Sequence, residues 1–203
     1  RPEVADDPLP GPPIDPPVDP SIDPPLELPP APPPDPDRTR LLTLDSLLHV
    51  VRDAGRRIEL LIETKHPSRY GSGVERRLVA TLARHGLVHP SPDELVRVTV
   101  MSFSPLALRQ IRRLAPMLPT VLLLEMMPIW PWRTRLPFGT RIAGPGIDLV
   151  RARPGLIPAL RAAGNQVYVW TVNTLVDLDL VLDQGVDGVI TDRPALALRR
   201  LGR

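Results

Sequence analysis

The chain has 203 residues, of which 42% are hydrophobic and 24% charged, and its formal net charge is +2, so its length is that of one ordinary domain. It contains no cysteine, which excludes disulfide scaffolds, thiolate metal centres and cysteine nucleophiles. Since no stretch reaches the roughly 18 consecutive apolar residues of a membrane-spanning helix, the sequence also predicts no membrane span.

The first 37 residues differ in composition from the rest. Sixteen of the 29 prolines fall within residues 1–36, and nine acidic residues up to Asp37 face a single basic one, Arg1. Proline has no amide donor and a restricted backbone, so this composition predicts a disordered or extended segment, unless it is a translation artefact. We therefore separate residues 1–37 from a folded domain over residues 38–203.

From residue 41 onward, apolar runs alternate with amphipathic stretches. The amphipathic stretches predict helices over residues 43–54, 74–84, 105–114, 154–163, 175–184 and 194–201. The apolar runs predict six strands, over residues 58–65, 96–103, 120–125, 141–143, 166–170 and 188–191. In the first helix we expect Val50 and Val51 to extend the apolar face, with His49 inside it. This alternation is typical of an α/β fold in which crossover helices join parallel strands.

The basic residues are 24 arginines and one lysine, Lys65. The arginines are scattered along the predicted helices without interleaved aromatic residues, which is typical of solvated helix faces and argues against a nucleic-acid partner. The single lysine stands out, because its compact, strongly hydrated charge suits a phosphate oxygen and differs from the planar guanidinium of arginine.

Alternation along the first strand places Glu63 and Lys65 on the same face, about 6.6 Å apart at the rise of a strand. They lie at the carboxyl end of the strand, which is where ligands bind in parallel α/β sheets and barrels. A carboxylate beside an ammonium on one inward face fits a metal-assisted phosphoryl site. The alternative interpretation is that the two side chains simply pair with each other where the strand ends.

Four segments at predicted strand ends carry a family resemblance: residues 62–67 (IETKHP), 100–104 (VMSFS), 169–173 (VWTVN) and 185–194 (GVDGVITDRP). In their order and spacing, and together with residues 42–48 (LTLDSLL), they resemble the glycerophosphodiester phosphodiesterase family over about residues 41–201. The resemblance implies a TIM-type (β/α) barrel, here with about six of its eight strands. It also implies hydrolysis of small-molecule glycerophosphodiesters to glycerol 3-phosphate and an alcohol, with a divalent cation, Ca²⁺ or Mg²⁺.

The resemblance implies a role for four residues. Glu63 would be a metal ligand, and Lys65 would be the catalytic residue that holds a phosphate oxygen or its developing charge. Phe103 and Trp170, which share inward parity with Met101 and Tyr168 on their strands, would flank the glycerol moiety of the substrate. For the two aromatic residues, ordinary packing inside the barrel is the alternative interpretation.

Several motifs of the family do not occur in this sequence. They are an amino-terminal His-Arg-Gly motif, a glutamate in a Pro-Glu-Asn-Thr segment, a glutamate-x-aspartate pair that completes the metal site, and a second catalytic histidine. None of the histidines present has that family context: His49, His66, His85 and His89. Residues 38–203 are also 166 residues, against roughly 250 for a complete barrel. We therefore expect an incomplete ligand set and a fragment that is inactive by itself.

Two alternatives to the enzyme remain open at this stage. One is a noncatalytic barrel remnant that binds phosphate or glycerol, and the other is a related phospholipase-type phosphodiesterase. A barrel without two neighbouring strands exposes two strand edges, so we expect self-association. The sequence does not determine the compartment; a cytoplasmic location is favoured because no signal peptide is visible, although the chain begins with Arg1 and not with methionine.

Overall fold

The structure, a computed structural model, describes residues 41–66, 71–91, 93–126 and 135–203. The proline-rich segment, residues 1–37, lies outside the described residues, so its predicted disorder stays a prediction. Leu42–Arg203 form one compact unit.

The described residues form one parallel sheet of six strands: β1 (Ile58–Glu63), β2 (Val96–Ser102), β3 (Thr120–Leu124), β4 (Ile142–Pro145), β5 (Gln166–Val169) and β6 (Gly188–Val189). The strands lie side by side in chain order, each parallel to the next. The sheet curls into part of a TIM-type barrel, which confirms the predicted fold class.

In the described part of the chain, seven α-helices and one 3-10 helix (Pro137–Gly139) connect or flank these strands. The α-helices are α1 (Leu44–Asp53), α2 (Gly73–Arg84), α3 (Pro105–Leu114), α4 (Ile147–Ala152), α5 (Leu156–Ala162), α6 (Leu175–Asp183) and α7 (Pro194–Arg200). The side chains of Thr43, Ser104 and Thr174 accept hydrogen bonds from backbone amides in the first turns of α1, α3 and α6. No helix in the described part of the chain is long and apolar enough to cross a bilayer.

The observed elements differ from the predicted ones in two ways. The strand predicted over residues 58–65 ends at Glu63, where its pairing with β2 ends at Met101, so Lys65 lies two residues beyond the strand. The sequence analysis also missed α4, because its six residues are too few to show a helical period against an irregular stretch.

One prediction about α1 is wrong. Its buried face contains Leu48 and Val51, whereas Val50 is 62% exposed and the His49 side chain 66% exposed. The reason is geometric: a helix turns about 100° per residue, so the face that buries Leu48 and Val51 turns their neighbours His49 and Val50 towards solvent.

The core lies on both faces of the sheet. On the outer face, helices and strands share two apolar clusters; the first contains Leu122, Val167 and Val169, and the second Val98 and Val100. On the inner face, Val121, Leu123 and Ile142 form a smaller cluster, against which three partly buried side chains pack: Met101, Tyr168 and Trp170. The inward parity predicted for Met101, Tyr168 and Trp170 is therefore what the structure shows.

Candidate active site

The candidate site lies at the carboxyl ends of the strands. Glu63 is the last residue of β1. Phe103 is the first residue after β2, and Trp170 is the first residue after β5. In a curled parallel sheet these ends share one rim, so residues that are distant in sequence come close together there. The local pattern along each strand, with alternate residues turned inward, sets which side chains the rim receives.

Glu63 and Lys65 form an ion pair at this rim. The Lys65 Nζ atom lies 3.5 Å from Glu63 Oε2, and the exposed fractions of the two side chains are 85% and 23%. An ion pair with so exposed a partner adds little to stability, because water and salt screen it. Glu63 and Lys65 therefore do pair with each other where the strand ends, as in the alternative interpretation. Because the ion pair is weak, the Lys65 ammonium can exchange Glu63 for an anion.

Phe103 and Trp170 meet edge to face, with their ring centroids 5.3 Å apart. The Trp170 Nε1 atom donates a hydrogen bond to the Gly144 carbonyl at 2.6 Å, which fixes the orientation of the indole. A β-carbon at Gly146, the residue after β4, would lie 3.3 Å from Trp170 Cζ2, so a larger residue there would crowd this ring. Phe103 is 43% exposed and also lines a cleft of about 360 Å³ with Glu125.

Hydrogen bonds of polar side chains hold the loops next to the rim. The Ser102 Oγ atom donates to the Thr64 carbonyl at 2.8 Å and accepts from the Ser104 amide at 3.2 Å, which ties the end of β1 to the start of α3. On the other side of the rim, Asn173 donates to the Asp192 carboxylate at 2.8 Å and accepts from the Asp192 amide at 2.9 Å. These contacts give a structural role to the polar residues in three of the sequence motifs.

A buried carboxylate anchors the residue that follows Lys65. The His66 Nε2 atom lies 2.6 Å from Glu75 Oε1, and Glu75 is completely buried. The second oxygen, Oε2, is also buried and has no hydrogen-bond partner among the described residues. Nothing in the local sequence indicates that Glu75 is buried, because charged residues on a helix surface occupy the same kind of position. The pair restrains the chain immediately after Lys65.

The described residues supply only part of a site for a hard cation. Ca²⁺ takes six to eight oxygen ligands, and Mg²⁺ takes six in near-octahedral geometry. Glu63 offers one carboxylate, but within the described ranges no group of three acidic or imidazole side chains gathers around it. Glu63 can therefore be one ligand of a cation, and the residues described do not complete the set.

One group of three potential ligands does occur among the described residues, on α1 and at the end of α2: Asp45, His49 and His85. Hydrogen bonds with His85 and then with Arg84 lower the pKa of the Asp45 carboxyl below its usual value, and they outweigh burial, which by itself would raise it. Sequence analysis treated the two histidines separately, because His85 is 40 residues away from Asp45 and no local pattern connects them.

Comparison with known proteins gives consistent matches. The sequence model of the family described as "Glycerophosphoryl diester phosphodiesterase family" matches residues 26–196. A Mycobacterium tuberculosis protein named "Probable glycerophosphodiester phosphodiesterase 1" is 40% identical over 156 residues, which cover 77% of this chain and 57% of the relative. A Bacillus subtilis glycerophosphodiester phosphodiesterase is 33% identical over 159 residues, covering 76% and 53%. The chain thus spans about half the length of these relatives.

Solved structures show the same fold. A glycerophosphodiester phosphodiesterase from Parabacteroides distasonis has a TM-score of 0.64 at 19% identity, covering 78% of this chain and 63% of that chain. An Oleispira antarctica phosphodiesterase, solved in complex with the product sn-glycerol-3-phosphate, has a TM-score of 0.60 at 20% identity, covering 79% and 61%.

Proposed function

Because the chain belongs to the glycerophosphoryl diester phosphodiesterase family, we propose that it acts in the metal-dependent hydrolysis of glycerophosphodiesters to glycerol 3-phosphate and an alcohol. One observation carries the proposal: a carboxylate, an ammonium and an edge-to-face aromatic pair lie at the carboxyl ends of the strands. This is the end of a (β/α) barrel at which substrates bind and react.

Lys65 is proposed as the catalytic cation. The Lys65 side chain is 85% exposed at the rim, and within the described residues Glu63 is its one ionic partner, so a phosphodiester oxygen can replace that partner. A fixed positive charge next to the phosphoryl oxygens stabilises the charge that develops on them in the transition state. The buried His66–Glu75 pair supports this role, because it anchors the adjacent residue and limits how far Lys65 can move.

Phe103 and Trp170 are proposed to flank the glycerol moiety. The edge-to-face arrangement leaves part of each ring uncovered, and both rings are only partly buried. Carbon-bound hydrogens of a polyol pack against such ring faces while its hydroxyls point towards polar groups. The hydrogen bond from Trp170 to Gly144 keeps this wall in one orientation before a ligand arrives.

Glu63 is proposed as one ligand of the divalent cation, Ca²⁺ or Mg²⁺. When bound, such a cation would polarise the phosphoryl group and neutralise part of its charge. Since one carboxylate cannot hold a hard cation, the other ligands would be water or residues outside the described ranges. In this arrangement, the chain places the Glu63 carboxylate next to the Lys65 ammonium that would bind the phosphate.

The proposal is tested by release of glycerol 3-phosphate from glycerophosphocholine by the 203-residue chain, with Mg²⁺ or Ca²⁺ and with a chelator. Since the sequence predicts that this fragment is inactive by itself, we expect no release from the 203-residue chain. Once the amino-terminal motifs that the sequence lacks are supplied, we expect cation-dependent release that Glu63→Gln abolishes. Glu59→Gln is the matched control, since Glu59 is on the same face of β1 at the opposite end of the strand. Lys65→Met should lower kcat by at least about 100-fold while changing metal affinity less. Unchanged rates in either site variant would remove that residue from the mechanism.

A second candidate is a noncatalytic domain that binds phosphate or glycerol. The observation that favours it is the single carboxylate at Glu63 where a hard cation needs several oxygens. Calorimetry with glycerol 3-phosphate separates the two candidates: binding that Lys65→Met and Phe103→Ala weaken, without any turnover, indicates the binding domain. A phospholipase-type activity would instead show as release of phosphate-bearing products from intact phospholipid but not from glycerophosphocholine.

We also propose that the chain self-associates through its strand edges. Among the described residues, β1 pairs only with β2, and β6 pairs only with β5, so each has an edge with free backbone groups. Such edges pair readily with another chain. Sedimentation velocity should show a concentration-dependent increase in mass, and a monomer at every concentration would contradict this proposal.

A further inference from the structure

Three ligand-type side chains from two helices converge on the outer layer of the molecule. Asp45 and His49 are four residues apart in α1, and His85 caps the carboxyl end of α2. The Asp45 Oδ1 atom lies 2.9 Å from His85 Nε2, and Asp45 Oδ2 lies 3.8 Å from His49 Nδ1. One ligand atom from each residue lies within 4.8 Å of the other two.

The spacing of these atoms is close to that required around one metal ion. In a tetrahedral zinc site with bonds of about 2.1 Å, neighbouring ligand atoms are about 3.4 Å apart. His85 is buried, and its Nε2 atom shares a proton with Asp45 Oδ1 that a metal ion bound to both atoms would replace. The His49 side chain is 66% exposed, but its Nδ1 atom lies 2.8 Å from the Asp45 backbone carbonyl oxygen, so metal binding requires the ring to give up this hydrogen bond and rotate. Positions i and i+4 on one helix are also a common arrangement for a pair of metal ligands.

The donor set selects the class of metal. Two imidazole nitrogens and one carboxylate oxygen suit borderline transition metals such as Zn²⁺ or Co²⁺, whereas Ca²⁺ and Mg²⁺ need mostly oxygen. The cluster therefore differs in chemistry from the site proposed at Glu63, although Asp45 and Glu63 line the same cleft of about 860 Å³.

The Asp45 carboxylate is already prepared for a cation. Its Oδ1 atom already lies against two nitrogen donors, those of His85 and Arg84. The Arg84 guanidinium lies 3.3 Å from Asp45 Oδ1 and is 61% exposed. A metal ion would displace this exposed arginine into water at little cost, because exposed ion pairs are weak. The two histidine rings also contact edge to face, with centroids 5.0 Å apart.

We propose that Asp45, His49 and His85 form a binding site for a Zn²⁺-type transition metal ion that joins α1 to α2. Water completes the coordination in the fourth position. The site does not depend on the proposed phosphodiesterase activity, since it uses none of the rim residues. Metal binding at this site would hold α1 against α2, the helix that carries the buried Glu75.

The test is titration of the untagged 203-residue chain with Co²⁺ and with Zn²⁺ at neutral pH. We expect one equivalent of Co²⁺ to give the visible absorption of a low-symmetry, four-coordinate site, which Zn²⁺ then displaces. Asp45→Asn, His49→Ala and His85→Ala should each weaken binding by at least about 100-fold, since even groups that only orient a ligand contribute about 10–100-fold. His89→Ala is the matched control and should bind as the unmodified chain does.

Two results would overturn the site. One is the absence of saturable binding, and the other is binding that survives His49→Ala. The His49 variant is decisive, because its side chain is largely exposed and its loss leaves the helix core intact, whereas the buried His85 also contributes to packing. Zn²⁺ should in addition raise the midpoint of thermal unfolding of the unmodified chain but not that of His49→Ala, because a ligand stabilises only the form that binds it.

Discussion

The outer and inner faces of the sheet are built differently. On the outer face, strand residues such as Val98, Val100 and Val167 are at most 2% exposed under the helices. On the inner face, Met101 and Tyr168 are only partly buried, and the residues at the rim include Glu63 and Lys65. Both faces follow the same alternation along the same strands, so the difference comes from what covers them.

The comparison shows where stability and chemistry are located in this molecule. The helices remove the outer face from water, which provides most of the apolar burial. The inner face keeps polar groups and aromatic rings accessible at one end, as a binding site requires. Burial raises the pKa of the Tyr168 phenol, with a further contribution from the Glu59 carboxylate, so the phenol stays neutral inside the sheet. Outer-face changes should therefore affect stability, and rim changes should affect function.

The largest expected effect is a loss of stability, and it concerns a polar side chain in the helix layer, the buried Glu75 carboxylate on α2. His66→Ala removes the partner at 2.6 Å from the fully buried Glu75. Since this leaves a buried carboxylate without compensation, we expect a loss of about 3–5 kcal/mol in the free energy of unfolding, measured by urea denaturation. Glu75→Gln is the control and should cost less, because it removes the charge itself. Equal losses in both variants would show that the charge is not the cause.

A core substitution in the helix layer tests the comparison directly. Ile111 on α3 is fully buried in the second outer cluster. Ile111→Ala should cost about 2–5 kcal/mol, through lost burial and the cavity left behind. Met101→Ala on the inner face should cost clearly less, since its side chain already keeps part of its contact with water. Denaturation midpoints measure both, and a larger loss for Met101→Ala would reverse the roles that we assign to the two faces.

Added bulk on the inner face should have an intermediate effect. A β-carbon at Gly144 would lie 2.8 Å from Leu123 Cδ2 and 2.9 Å from Val121 Cγ1, both in the small inner cluster. Gly144→Ala should therefore cost about 1–3 kcal/mol by overpacking. Gly155→Ala is the matched control, because nothing lies within 4 Å of a β-carbon there. Thermal unfolding of both variants measures the difference; similar midpoints would mean that the inner cluster relaxes without strain.

The smallest expected effect is a pH dependence in the outer layer. Burial alone would raise the pKa of Asp177, but hydrogen bonds from Thr174 and Arg151 outweigh it and hold the pKa below the ordinary value of 3.8. A lowered pKa in the folded state adds stability that is present above pH 3.8 and is lost as the pH falls towards the folded value.

The measurement for this prediction is the free energy of unfolding from neutral pH down to acid. The unmodified chain should lose its advantage over Asp177→Asn as the pH falls below 3.8. Thr174→Ala removes one of the hydrogen bonds to the carboxylate and should weaken the pH dependence. A constant difference between the unmodified chain and Asp177→Asn across this range would contradict the assignment.

Much of the fold follows from local pattern. Six strands and six of the seven helices lie within a few residues of their predicted positions, because alternation and helical spacing depend on near neighbours alone. The errors are local as well: α4 is too short to show a period, and Val50 lies one helical step away from the buried face of α1. The segment from residue 1 to residue 37 lies outside the described residues, and its disorder stays a prediction.

For the candidate site, the sequence by itself determined which side chains share a face and an end of a strand. It turned Glu63 inward with Met101 and Tyr168, because alternation along a strand is a property of the backbone, whereas Lys65 lies beyond the end of β1 and reaches Glu63 from the loop. Only the tertiary structure decided which of these meet. The contact of Phe103 with Trp170 depends on the curvature of the sheet, and the contacts of His66 with Glu75 and of Asp45 with His85 depend on how helices pack. Such contacts join residues far apart in the chain, where the angle and distance between elements, and no local period, determine the neighbours.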